Sequence, residues 1–340
     1  MKLLKTLAAI AALSTMTLAV TAPILHAEDP GPAAYSTALT GKRVVMVPMA
    51  MGFDLAQGWA AYVGREVTAF GGVFETRDPN WSAEAGAQAL TEAISSDPKP
   101  DVLLVMSFDL NSYSKILKKA QDAGIYVILI DNPANFAADA YVGGDWDKLG
   151  QIEAEAVIKG CGESSSKKIG LVQGDQVNAT SLYQYAGIMK VLADHPDFTV
   201  VAKPDSNWDA TTARNVTATM LQQNPDICGI IDFWDGDATG TSAAIRDAGL
   251  QDKVFLVTTG GGEKVADCDT LENGTYGAVV MTDLKGESGN MVAMIKYLLQ
   301  SGQPAGTASP YIYTMLKATT KADLQPDTCW DLKALQAAAN

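Results

Sequence analysis

Asp101-Val102-Leu103-Leu104-Val105-Met106, an amphipathic segment over 112–123 stopped by Gly124, and Tyr126-Val127-Ile128-Leu129-Ile130 running into Asp131-Asn132 make up the stretch on which the fold turns. Both apolar runs have strand length and no polar alternation, the pattern of strands buried on both faces of a parallel sheet. The helix between them is the crossover that parallel neighbours need. Such a unit predicts an α/β chain.

Toward the amino end, Arg43-Val44-Val45-Met46-Val47-Pro48 and Val73-Phe74-Glu75-Thr76 are two more strands. Helices are predicted over 55–70, where Gly71-Gly72 supplies the stop, and over 83–95. The rhythm restarts at Lys168-Ile169-Gly170-Leu171-Val172. Strands are predicted at 198–202, 228–233, 254–258 and 276–281, helices at 181–194, 211–222 and 239–248, and a long helix over 288–300. Two successive repeats imply two doubly wound parallel sheets, helix-covered on both faces, with right-handed crossovers.

In such sheets ligands bind beyond the carboxyl ends of the strands. Those positions hold Phe53 and Asp54 after the first strand, Ser107-Phe108-Asp109 after the third, and Asp131-Asn132 after the fourth. In the second half they hold Gln173-Gly174-Asp175, Phe233-Trp234-Asp235 and Thr259-Gly260-Gly261-Gly262. The set is acids, amides and aromatics with hardly a cation. Carboxylates accept hydrogen bonds from hydroxyls, and aromatic faces cover the C–H side of a sugar or polyol. A phosphate or carboxylate ligand would find nothing to offset its charge. The expected ligand is therefore a neutral polyhydroxy compound, with a cationic amine second. Asp109 and Asp175 can equally cap the helices that follow them. Trp59, Trp81 and Trp208 read as packing residues, whereas Trp234, directly after a buried strand, reads as cleft lining. Gly260-Gly261-Gly262-Glu263-Lys264 lacks the spacing of a phosphate cradle and reads as a strand-to-helix turn.

Residues 1–27 read as a cleaved signal peptide: Lys2 and Lys5, an apolar stretch over 7–25, then Leu25-His26-Ala27 before Glu28. An uncleaved anchor is the alternative, which Ser14, Thr15, Thr17, Thr21 and Pro23 weaken. Residues 28–40 read as a flexible arm. The formal charge of −14 argues against nucleic acid and anionic membrane surfaces, which require clustered cations. Of two histidines, His26 leaves with the leader and His195 sits in an Asp-His-Pro turn, so no multi-histidine metal site and no Ser-His-Asp relay is expected. No cofactor is expected either. Four cysteines in an exported chain suggest disulfides, and three pairings are open. The strand positions favour Cys161 with Cys228 and Cys268 with Cys329, against four free buried thiols.

From Gly41 to about residue 316 the chain resembles the ribose-type periplasmic sugar-binding proteins, the solute receptors of ABC transporters. The resemblance rests on Phe53 after the first strand, Ile128-Leu129-Ile130-Asp131, Val142-Gly143-Gly144-Asp145 with Leu149-Gly150, Gly187, Asn207-Trp208-Asp209, and Pro225-Asp226 leading to Asp235. It implies two doubly wound lobes joined by a three-strand hinge, with a ligand cleft between them and no catalysis. The implied lobes are 41–138 with 283–306 and 139–282 with 307–340. It also implies that Phe53 stacks on the sugar and that Asp131 binds its hydroxyls. Asp235 lies in the family's Asn-Asp pair, with Trp234 replacing the Asn. Asn132 and Gln184 stand where ribose receptors have Arg, Gly260 where they have Asp, and Met106 where they have Asn, so a different sugar or a smaller polyol is expected. The leading expectation is a monomeric periplasmic receptor that hands a carbohydrate or polyol to a membrane permease. A sensory protein for a chemoreceptor or histidine kinase is the alternative. An exported glycoside hydrolase would need carboxylates with split pKa values, for which the sequence offers no obvious context. A transcriptional regulator would need a helix-turn-helix where the leader stands.

Overall fold

A computed structural model describes residues 31–339. The expected signal peptide, and residues 28–30 of the expected arm, lie outside them. The first half runs α1 (Gly31–Thr37), β1 (Arg43–Val47), α2 (Asp54–Ala69), β2 (Val73–Thr76), α3 (Ala83–Ser95), β3 (Val102–Val105), α4 (Ser114–Asp122), β4 (Tyr126–Ile130) and β5 (Ala140–Gly143). The second runs α5 (Trp146–Cys161), β6 (Lys168–Val172), α6 (Ala179–Ala193), β7 (Thr199–Ala202), α7 (Ala210–Gln223), β8 (Gly229–Asp232), α8 (Asp235–Asp247), β9 (Phe255–Gly260), a π-helical turn at Lys264–Cys268, α9 (Asp269–Glu272) and β10 (Ala278–Thr282). Then follow α10 (Leu284–Ser301), β11 (Tyr311–Tyr313), β12 (Leu316–Thr319) and α11 (Leu332–Ala339).

Two six-stranded sheets result, ordered β11, β5, β4, β3, β1, β2 and β12, β10, β9, β8, β6, β7. The apolar runs are buried on both faces because alternate residues point to opposite sides. Val44, Met46, Val102, Leu104, Ile128 and Ile130 pack with Trp59 and Val63 of α2 and Met291 and Ile295 of α10. Their neighbours Val45, Val47, Leu103, Val105, Val127 and Leu129 pack with Leu90 of α3 and Leu117 of α4. Each fully buried side chain of this kind contributes about 1.5–3 kcal/mol, so one polar residue in a run would weaken the sheet. In the second lobe α5 and α6 meet backbone to backbone. A Cβ on Gly150 would lie 2.0 Å from the Gln184 carbonyl oxygen, and one on Gly187 1.9 Å from that of Asp147.

The chain crosses between lobes three times: from β5 to α5, from β10 to α10, and from β11 to β12. Asp145 and Asp283 cap α5 and α10 just after two of the crossings, accepting from Lys148 N and Gly286 N at 3.0 Å. The observed boundaries differ from the expected ones in two places. β5 pairs with β4 (Ile128 with Ala140, Ile130 with Val142), so the first crossing follows Gly143 and 139–143 belong to the first lobe. β11, within 307–340, also joins the first sheet, and Leu335 of α11 lies in the first lobe's core. β12 runs antiparallel to β10, an edge that the parallel expectation lacked.

Part of the expected flexible arm is helical. In α1, Tyr35 meets Phe70 edge-on at 5.7 Å, and the buried Lys296 Nζ sits 3.8 Å from the Tyr35 ring centroid and 3.2 Å from that of Phe70. Both expected disulfides are formed, Cys161–Cys228 and Cys268–Cys329. The second ties the C-terminal tail to the second lobe, where Trp330 exchanges backbone hydrogen bonds with Gly262 and Lys264 and donates Nε1–H to the Gly261 carbonyl at 2.7 Å.

Candidate ligand-binding site

Strand ends from both sheets converge on one cavity between the lobes. Met49 follows β1, Met106 follows β3, and Asp131 and Asn132 follow β4. Across from them stand Phe233, Trp234 and Asp235 after β8 and Thr259 to Gly261 at the end of β9. The cavity volume is about 70 Å³. One water needs roughly 10–15 Å³ by this measure, so the space suits a solute displacing roughly five to seven waters.

Four aromatic rings form one wall. Phe53 lies 5.6 Å from Trp81 and 6.0 Å from Trp234, and Trp234 lies 5.6 Å from Trp81 and 6.3 Å from Trp208. Phe53 and Trp81 belong to the first lobe, Trp208 and Trp234 to the second. Trp208 and Trp234 lie over Gly174 and Gly236, where a Cβ would approach the rings to 2.2 and 2.4 Å. Trp81 (φ 63°), Trp208 (φ 57°) and Asp131 (φ 58°) adopt the left-handed region, as do Asn80 and Asn207 beside the tryptophans. Bulky residues seldom do so, and such conformations gather at functional sites.

Asp54, Asp131 and Asp235 line the same cavity, and among the described residues no Lys, Arg or His does. Asp131 is 5 % exposed, and its Oδ1 has no hydrogen-bond partner. Burial pushes its carboxyl up to about 7. Its backbone is held firmly, the carbonyl accepting from Tyr141 Oη at 2.7 Å and Trp146 Nε1 at 2.8 Å. Asp235, also 5 % exposed, is pushed well above the usual carboxylate range by burial and by Asp267 and Asp54. Burial, with Glu263 nearby, raises Asp54 to about 6. Behind the wall stand two further acids. Glu287 accepts from Trp59 Nε1 at 2.9 Å and is raised by burial and by Asp131. Asp267 accepts from Gly262 N at 2.7 Å and is raised to about 7 by burial and Asp54.

Asp267 explains Gly260. A Cβ at 260 would lie 2.5 Å from both Asp267 carboxylate oxygens and 2.7 Å from Asp235 Oδ2. The carboxylate missing at 260 is thus supplied to the same region from the π-helical turn. Asn132 lines the cavity with its Nδ2 donating to the Ser107 carbonyl at 2.8 Å.

Two expected site residues lie elsewhere. Gln184 is fully buried between α5 and α6, where its Nε2 donates to both Glu153 oxygens at 2.9 and 2.8 Å. Asp109 turns back on its own loop, accepting from Asn111 N, Ser112 N and Ser112 Oγ, and so neither lines this cavity nor caps α4, whose N-cap is Tyr113. Conversely, Trp81 and Trp208 line the cavity rather than serving as packing. They lie five and six residues beyond the carboxyl ends of edge strands β2 and β7, in the loops that follow, so they escape a rule confined to the residues immediately after each strand. Trp59 is fully buried, as a packing residue should be. Asp267 and Glu287 carry no comparable sequence signal, since neither follows a strand directly.

Residues 44–304 match the family model described as periplasmic binding protein domain. A curated relative, the D-apiose import binding protein of Actinobacillus succinogenes, is 29 % identical over 183 residues, 53 % of this chain and 57 % of that one. The chain spans about half the length of the curated relatives it matches. Among solved structures, it is similar to an ABC transporter solute-binding protein from Agrobacterium vitis bound with alpha-D-tagatopyranose, with 20 % identity, TM-score 0.76, and coverage of 85 % and 97 %. It is also similar to a Caulobacter myo-inositol binding protein, with 19 % identity, TM-score 0.74, and coverage of 83 % and 94 %. These likenesses establish the fold. With the model match extending over most of the chain, the protein belongs to the periplasmic binding protein domain family.

Proposed function

We propose that this protein is an exported receptor that closes on one molecule of a sugar or polyol and delivers it to the permease of an ABC transporter, without changing it chemically. The observation that carries this is the cavity shared by both lobes, walled by rings from each and by buried carboxylates with unpartnered oxygens. Buried polar atoms are costly without partners, and ligand hydroxyls would supply them. Contacts from both lobes to one solute stabilise the shut state over the open one. The names of the curated relatives, apiose, ribose and allose receptors, support the same class. Phe53, Trp81, Trp208 and Trp234 would cover the solute's apolar faces, and Asp54, Asp131, Asn132 and Asp235 its polar groups. Removal of residues 1–27 on export and a monomeric working state belong to this proposal.

A thermal-shift screen of the mature protein against sugars and polyols tests it. Binding to the folded state adds about 2.7 kcal/mol at a hundredfold the Kd. The expected result is a selective hit that titrates to one site per chain and is recovered unaltered. No stabilisation across the panel, or recovery of a cleaved product, would overturn the proposal.

A further inference from the structure

The cavity holds a charge imbalance that hydroxyl groups alone leave uncorrected. Asp54 from the first lobe and Asp235 from the second meet across it, with Asp267 behind, and among the described residues no Lys, Arg or His lines the wall. Some buried acids outside the cavity lining are saturated by donors, whereas Asp237, Asp267 and Glu287 each keep one oxygen without a partner. Both Glu153 oxygens accept from Gln184, and Asp139 accepts from Gln121 Nε2, Val127 N and Gly306 N. The cavity acids are not saturated either. Asp235 Oδ2 and Asp131 Oδ1, on residues 95 % buried, have no donor at all. Two acids from opposite lobes therefore face the same cavity, each pushed toward its neutral form, and a positive charge placed between them would favour their ionised forms.

The ring geometry points the same way. A sugar ring is best covered by a flat aromatic platform, but these rings are mutually inclined, Phe53 to Trp234 by 86°, Trp208 to Trp234 by 72° and Trp81 to Trp234 by 52°. Inclined aromatic walls suit a compact cation, whose charge is attracted to the ring faces. Resting on the sugar-class function above, we propose that the solute carries a protonated amine beside its hydroxyls, an amino sugar or amino polyol, with the ammonium between Asp54 and Asp235 and the hydroxyls toward Asp131 and Asn132. Burial and neighbouring acids raise three acids in this region, Asp54 to about 6, Asp267 to about 7, and Asp235 well above the usual carboxylate range. The other titratable groups nearby are Glu263 and Tyr276, so nothing basic competes. An arriving ammonium would displace protons from the cluster.

Calorimetric titration of matched pairs decides the matter: sorbitol against 1-amino-1-deoxysorbitol, and glucose, galactose and mannose against their 2-amino-2-deoxy forms. Each pair is run at pH 7 in two buffers of different ionisation enthalpy. In at least one pair the amine should bind tighter by about tenfold or more, with proton release, and more weakly at pH 5 and at high salt. Asp235→Asn should erase that preference. If neutral members bind as tightly as their amines, or amine binding releases no protons, the ammonium assignment falls while the sugar-class function stands. If neither class binds, both fall.

Discussion

Asp131→Asn should make the empty protein more stable, and by an amount that depends on pH. The carboxyl titrates near 3.8 when exposed and is pushed up to about 7 in the fold. The folded state therefore holds a proton that the unfolded state has released between those values, and wild-type stability falls as pH rises through the window. The span of roughly three units corresponds to about 4 kcal/mol at pH 8, about 2 kcal/mol near pH 5.5, and almost nothing at pH 4. An amide has no such penalty. Asparagine also tolerates the left-handed backbone at 131, where φ is 58°, and leaves the carbonyl bonds from Tyr141 and Trp146 in place. Removing this charge additionally relieves Glu287, which Asp131 repels. Urea denaturation of both proteins at pH 4, 5.5 and 8 checks the expectation. A variant no more stable than wild type at pH 8, or a difference that stays constant with pH, would refute the assignment of Asp131 as a buried, unpaired acid.

Trp234→Ala removes the ring that touches Phe53, Trp81 and Trp208, so ligand affinity should drop about tenfold or more in calorimetry, and any ligand-induced change in tryptophan fluorescence should shrink. Asp109→Ala should leave the same Kd unchanged and lower stability by about 1 kcal/mol or less, because its three hydrogen bonds stay within one loop. Gly187→Ala forces a methyl against the Asp147 carbonyl and should lower stability by about 1–3 kcal/mol or more, read as a lower urea midpoint, with α5 and α6 separating. Replacing Cys268 and Cys329 by Ser opens a loop of 61 residues and should lower stability by about 4 kcal/mol in a denaturation series, most visibly at the tail.

The α/β architecture was legible because continuous apolar runs such as Val102-Leu103-Leu104-Val105 leave few alternatives, and their strand-end positions led to Phe53, Asp54, Asp131, Asn132, Trp234, Asp235 and Gly260 on the cavity wall. What escaped was tertiary. β5 and β11 are short and carry tyrosines at an edge, so only pairing with β4 and with each other defines them. Gln184 follows the family's order along the chain, yet in a helix packed against Glu153 its amide is used up internally. Asp267 reaches the space beside Gly260 through a π-helical turn, and no local pattern announces that a side chain seven residues away will fill it.

The C-terminal tail adds a fourth link between halves that are otherwise joined by three strands. Trp330 is fastened to the loop after β9 and, through Cys329, to Cys268, while Leu335 lies in the opposite core and Gln336 Nε2 donates to Gln57 Oε1 at 2.9 Å. Only Asp331 separates the Trp330 anchor from α11, and one extended residue spans at most about 3.6 Å. The anchor lies beside the crossing from β10 to α10, where Trp330 and Leu284 both stand over Gly58, so the tail joins the lobes at the corner about which they would turn. Any opening that pulls on the last helix would cost its contacts with the opposite core, so the grip on captured cargo is tuned partly at a place the cargo never touches.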